Sequence, residues 1–94
     1  GYSVYALEVE QALEQHPDVA EASVVGLPDD LLGEVPVAAV RLRKGSLLAP
    51  DDVIAWADEH LAAYKVPKRV VLVEDLPRTG TNKVQKAELL ALFD

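Results

Sequence analysis

The stretch Pro77-Arg78-Thr79-Gly80-Thr81-Asn82-Lys83 holds a proline, a glycine, two threonines and an asparagine, and ends on a lysine that opens a short helix. A lysine so placed is a point charge on a flexible stem that can reach phosphate or carboxylate oxygens. One glycine is too few for a P-loop, which needs G-x-x-x-x-G-K-[ST], and the GXXG loop of a KH domain is not matched either. Taken alone, a polar segment before a helix is commonly just a loop. The remaining titratable groups are less organised. His16 ends one predicted helix and His60 lies on the surface of another, with no serine, cysteine or second histidine beside either. The carboxylates scatter along helix faces without forming an acid/base pair. Asp29, Asp30 and Glu34 do not have the spacing of an EF-hand and read as a plain turn. With no cysteine there is neither a disulfide framework nor a thiolate metal site. No metal-ligating residue is expected on this chain.

Charge narrows the ligand class. The net charge of −7 argues against nucleic acid as a partner. The charge is unevenly spread, however. Residues 1–64 hold three basic and twelve acidic side chains, whereas residues 65–94 hold six basic (Lys65, Lys68, Arg69, Arg78, Lys83, Lys86) and four acidic ones. A local basic surface on an acidic protein suits a small anionic ligand better than a polyanion. No apolar run reaches the ~18–20 residues of a membrane span, and no signal peptide is visible. At 94 residues, half of them hydrophobic, the chain is one small domain of ordinary globular composition. Such a domain buries about 60–65% of its unfolded surface. A chain without methionine that begins at Gly1 reads as a piece of a longer protein.

The elements that must position these residues follow from periodicity. Residues 5–15 predict a helix, with Tyr5, Val9, Ala12 and Leu13 inward and Glu8, Glu10, Gln11 and Glu14 outward, ended by His16-Pro17. Residues 19–27 and 35–43 predict two strands around a loop from Pro28 to Glu34, with Pro36 at the start of the second, where a missing N–H is tolerable. A helix is expected from Pro50 to Tyr64. Asp51 and Asp52 suit its dipole, Ala49 offers no capping side chain, and Val53, Ala57, Leu61 and Tyr64 form its inner stripe beside Ile54. Lys65-Val66-Pro67 breaks it. Residues 69–74 predict a third strand, 75–83 a long loop, and 84–93 a last helix with Ala87, Leu90 and Phe93 inward. The fold class is α+β: a small three-stranded sheet with packed helices in the order α-β-β-α-β-α.

Four separated stretches, in register, resemble one family. GYSVYALEVE resembles the G-x-x-V-Y-P-x-E-[IV]-E segment of adenylate-forming enzymes. HPDVAEASVVGLPDDLLGEVPVAAV resembles their H-P-x-V-x-E-[AV]-x-V-[VI]-G-x-P-D-x-x-x-G-E-x-P-x-A-x-V stretch. LAAYKVPKRVVLVEDLP resembles L-A-x-Y-K-x-P-x-x-[VI]-x-F-[VL]-x-x-[LI]-P, and RTGTNKVQKAEL resembles the terminal R-T-x-x-G-K-[IV]-x-[RK]-x-x-L. The resemblance covers essentially the whole chain. It identifies 1–94 as the small, mobile C-terminal domain of the AMP-binding superfamily, most similar to acyl-CoA synthetases.

The resemblance implies two half-reactions: a carboxylate and ATP give an acyl-adenylate and pyrophosphate, then the thiol of coenzyme A displaces AMP to give a thioester. It assigns ATP, Mg²⁺ and the acid mainly to a large N-terminal domain, the natural partner of this one, which is not in this chain. The C-terminal domain rotates between the steps. Lys83 matches the lysine of the first step, bridging substrate carboxylate and α-phosphate. Asn82 stands where the family usually has glycine, and tolerates left-handed backbone better than most residues. Gly1 matches the glycine of the loop that enters for the second step, where a side chain would crowd pantetheine, with Tyr2 and Ser3 lining that passage. Tyr64 falls near the nucleotide end of coenzyme A, where its ring can stack on adenine while Lys65, Lys68 or Arg69 meets the 3′-phosphate. Tyr64 also completes a helix stripe, so core packing is its competing role. Glu8, Gly26, Pro28, Asp29 and Gly33 are family positions of structural character.

Two rivals stand beside a coenzyme A ligase. One is the matching domain of a nonribosomal peptide synthetase, whose terminal motif N-G-K-[IV]-D-[RK] is not met by Thr81-Asn82-Lys83-Val84-Gln85-Lys86. The other is a stand-alone binding module. The resemblance further implies a cytoplasmic enzyme, an inactive isolated domain, and a Lys83 open to a lysine acetyltransferase.

Overall fold

In the computed structural model, which describes residues 5–93, the two apolar runs form an antiparallel pair, β1 (Val19–Asp29) and β2 (Gly33–Leu42). A shorter strand, β3 (Arg69–Leu72), lies parallel to β2 on its other side, giving the sheet order β1-β2-β3. Parallel pairing needs a crossover, and α2 (Pro50–His60) supplies it. Helix α1 (Ala6–Glu14) precedes the sheet; one α-helical turn, α3 (Lys86–Leu89), tightening to a 3-10 turn over Leu90–Phe93, follows it. The expected α-β-β-α-β-α order is the one found.

Strand alternation splits the core in two. Ala22, Val24, Ala38 and Val40 face α1 and α2, meeting Val9, Leu13, Val53 and Ala57. Val25, Val37 and Ala39 face the C-terminal segment, meeting Leu76, Leu89 and Phe93. A central strand covered on both faces needs no polar alternation, which explains the apolar run of β2. Among the described residues, no helix is long and apolar enough to cross a membrane.

Several expected boundaries move, each for a local reason. Strand β2 starts at Gly33, so Pro36 is buried within it rather than at its start. The Pro36 carbonyl accepts Lys68 N–H at 2.8 Å, one residue before β3 begins. Its nitrogen therefore points to the side where no ladder bond is required. Helix α2 ends at His60, not Tyr64, because Leu61 is extended (φ −133°, ψ 155°) and the chain descends through a 3-10 turn, Ala63–Lys65, to buried Pro67. Tyr64 is thus off the helix stripe and 65% exposed, which removes core packing as its role. At the other end of α2, Asp52 reaches back to accept Ala49 N–H at 2.8 Å, half a capping box that needs no side chain at Ala49. Helix α3 starts late because Val84 bridges to Arg78 and Gln85 N–H bonds Pro77 O at 2.8 Å. The inward residues are then Leu89 and Phe93, with Leu90 half-buried and Ala87 exposed.

Candidate functional site: a cationic hairpin and an exposed tyrosine

The loop that carries Lys83 is a tight hairpin. Thr79 N–H donates to Lys83 O at 2.8 Å, and Asn82 N–H donates to Thr79 O at 2.9 Å, closing a turn over Gly80 and Thr81. Asn82 follows in the left-handed region at φ 67°, the only such non-glycine residue among those described. This is the three-residue hairpin in which a turn is followed by a left-handed position. Asparagine there preserves the loop shape that glycine would allow. The Thr79 hydroxyl accepts from the Thr81 and Lys83 amides at 3.2 and 3.3 Å, holding the turn from inside. Lys83, exposed, follows the left-handed residue directly.

The stem of the loop is anchored by charge. Arg78 pairs with Glu21 of β1 and lies 3.2 Å from Asp75 Oδ1. Glu21, then Asp75, hold its guanidinium above its ordinary value. The Leu76 amide, then Arg78, hold the Asp75 carboxyl below its own.

The second candidate cluster lies at the start of α1. The Tyr64 ring stands edge-on to Tyr5 with centroids 5.9 Å apart. Lys65 Nζ is 5.5 Å from the Tyr64 centroid and 2.8 Å from Glu8 Oε1. The bond that Lys65 donates to Glu8 raises the Lys65 pKa. Glu8 thus holds this ammonium beside an exposed tyrosine ring. Lys68 is exposed, with its backbone N–H bonded to Pro36 O at 2.8 Å just before β3. Arg69 is engaged elsewhere: its Nη1 donates to Phe93 O at 2.7 Å and its guanidinium lies 5.4 Å from the Phe93 ring centroid. Gly1, Tyr2 and Ser3 lie outside the described residues.

Sequence reading missed two arrangements. Glu10 and Glu14 face the free edge of β1, where their Oε2 atoms accept the Val24 and Ala22 amides at 2.7 and 3.0 Å. They blunt an edge that would otherwise invite strand pairing. His16 and His60, remote in sequence, both pack on Trp56, with centroids 4.7 and 4.0 Å away, and Trp56 Nε1 donates to Ala12 O at 2.9 Å. Helical spacing of Glu10 and Glu14 was a usable signal; nothing local pointed to the histidine–tryptophan stack. Among the described residues no cluster of three or more His, Cys, Asp or Glu can hold a metal ion.

A model of the AMP-binding enzyme C-terminal domain matches residues 8–83. The chain belongs to this family. It is 45% identical over 95 residues to the 2-succinylbenzoate–CoA ligase of Geobacillus kaustophilus, covering 99% of the chain and 19% of that protein. It is 48% identical over 86 residues to a methyl-dioxo-octahydroindenyl-propanoyl:CoA ligase of Rhodococcus jostii, covering 92% of the chain and 17% of that protein. Apo MatB from Rhodopseudomonas palustris superposes with a TM-score of 0.89 at 38% identity, over 99% of this chain and 18% of that one. Amide bond synthetase McbA from Marinactinospora thermotolerans gives 0.89 at 39% identity, over 99% and 19%. The chain therefore spans less than a fifth of each relative. It is a C-terminal domain of the acyl-CoA ligase type of adenylate-forming enzyme.

Proposed function

We propose that this domain serves an ATP-dependent carboxylic acid–CoA ligase and supplies Lys83 as the cation of its first half-reaction. A substrate carboxylate oxygen bonds to the α-phosphorus of ATP as the bond to pyrophosphate breaks. Negative charge spreads over the phosphate oxygens, and a cation held in a water-poor cleft lowers that barrier. The coenzyme A thiol then bonds to the acyl carbon, and AMP leaves with the electron pair of the mixed anhydride. For that step the domain rotates, bringing Gly1, Tyr2 and Ser3 to the pantetheine passage and Tyr64, with Lys65 or Lys68, to the nucleotide end. Mg²⁺, ATP and the acid belong mainly to a large N-terminal domain. We place the enzyme in the cytoplasm, and the isolated 94-residue domain is inactive.

The observation that carries this reading is the Lys83 hairpin: a bonded turn, a left-handed Asn82 and an exposed lysine immediately after it. The curated relatives named above, both CoA ligases by name, favour coenzyme A over a carrier-protein thiol. An exposed Lys83 is also within reach of a lysine acetyltransferase, and acetylation would remove the charge and stop the first step. ATP–pyrophosphate exchange by the full-length enzyme tests the reading. Lys83→Ala should slow it ~10²–10³-fold, the usual cost of losing one preorganised charge contact. Unchanged exchange would refute it.

A further inference from the structure

Both stems of the Lys83 hairpin are tied to one strand. Arg78, on the first stem, pairs with Glu21 of β1. Lys86, three residues past Lys83, pairs with Glu10 of α1 and donates to the Val24 carbonyl of β1 at 2.8 Å. The Glu10 oxygen that meets Lys86 also accepts the Val24 amide. Lys86 thus closes a network joining α1, the β1 edge and α3. These are not solvated surface charges. The side chains of Lys86 and Glu10 are 28% and 12% exposed, and those of Arg78 and Glu21 are 21% and 24% exposed. Lys83 itself is exposed, so its position depends on the backbone beneath it.

That backbone needs an external hold. Helix α3 is four residues long, far too short to persist on its own. On its C-terminal side Leu89 and Phe93 are buried and hold it to the sheet. On the loop side the hold passes through Lys86. In a helix, residues three, four and seven apart share a face. Anchoring Lys86 on β1 therefore turns Leu89, Leu90 and Phe93 toward the core together.

We infer that Lys86, with Arg78 on the opposite stem, is a positioning residue that fixes the Lys83 hairpin against β1 for adenylation. The inference rests on the reading of Lys83 given above. Misplacing a catalytic group by about 1 Å costs up to ~10² in rate, so the tether acts on the first half-reaction and not on the second, which uses another face of the domain.

The test uses the full-length enzyme with Lys86→Met, Lys86→Arg, Glu10→Gln and, as reference, Lys83→Ala. Three quantities are read: ATP–pyrophosphate exchange, thioester formation from supplied acyl-adenylate and coenzyme A, and amide hydrogen exchange of peptides spanning 77–86. Lys86→Met should slow pyrophosphate exchange ~10–10²-fold, leave thioester formation within about twofold, and lose amide protection across 77–86. Lys86→Arg keeps a cation able to donate to Glu10 and Val24 and should restore most of the rate. Glu10→Gln keeps an acceptor for the Val24 amide, loses the charge pair, and should fall between. Wild-type protection and rate in Lys86→Met, or equal loss of both half-reactions, would overturn the inference. If Lys83→Ala leaves pyrophosphate exchange intact, the functional reading falls, while the protection data still decide whether Lys86 holds the loop.

Discussion

Replacing Asn82 with valine tests whether the Lys83 hairpin depends on one left-handed residue. At φ 67° the Asn82 side chain sits where Cβ crowds the following carbonyl. That position costs most L-residues roughly 1–2 kcal/mol, less for asparagine, and more for a β-branched side chain. Two backbone hydrogen bonds close the turn, Thr79 N–H to Lys83 O and Asn82 N–H to Thr79 O. Each contributes a net ~0.5–1.5 kcal/mol. Strain and bonding are therefore of similar size, and valine should leave the turn open for a large fraction of the time. Because an opened loop escapes the strain, the global loss is capped at about 2 kcal/mol, the worth of the two bonds. Urea denaturation should show Asn82→Val losing about 1–2 kcal/mol and Asn82→Gly changing by less than about 0.5 kcal/mol. Amide exchange at residues 79–83 should rise in the valine variant alone. Equal stability and equal protection in the two variants would refute the reasoning.

Two further outcomes follow from the charges and rings described. The carboxyls of Asp29 and Asp75 lie below their ordinary 3.8, held chiefly by the Leu32 and Leu76 amides respectively. Their contribution is thus complete above about pH 3.8 and drains as pH falls below it; the acid limb of a stability–pH curve should flatten in Asp75→Asn, and superposed curves would contradict this. Tyr64→Ala in the full enzyme should raise the KM for coenzyme A about 5- to 150-fold, since stacking on one base is worth ~1–3 kcal/mol, and leave ATP–pyrophosphate exchange unchanged; an unchanged KM would remove Tyr64 from the nucleotide end.

The sequence shows most of the fold and a good part of the candidate site. The order of elements along the chain and the polar loop before Lys83 follow from apolar period and from proline and glycine positions, whereas the sheet order and the parallel pairing of β2 and β3 do not. What periodicity misses is tertiary. Helical spacing carries Tyr64 onto the α2 stripe, yet the path to buried Pro67 ends the helix four residues earlier. Spacing places Glu10 on the solvent face, yet the unpaired Val24 amide at the sheet edge draws it inward. Ala87 reads as buried until the Arg78–Val84 bridge delays the last helix and changes its phase. Lys65 and Arg69 look alike as parts of a basic run, and only the fold sends them to Glu8 and Phe93 O.

The central claim is that two faces of this domain serve two half-reactions, and one paired measurement tests it. ATP–pyrophosphate exchange and thioester formation from supplied acyl-adenylate are each assayed on full-length Lys83→Ala and Gly1→Leu, with circular dichroism confirming that both fold. Lys83→Ala should lose ~10²–10³ in the first and keep a near-normal second. Gly1→Leu should keep the first and lose the second, because a side chain there blocks the pantetheine passage. Equal loss of both half-reactions in both variants would contradict the alternating-face account and leave Lys83 as part of a structural loop.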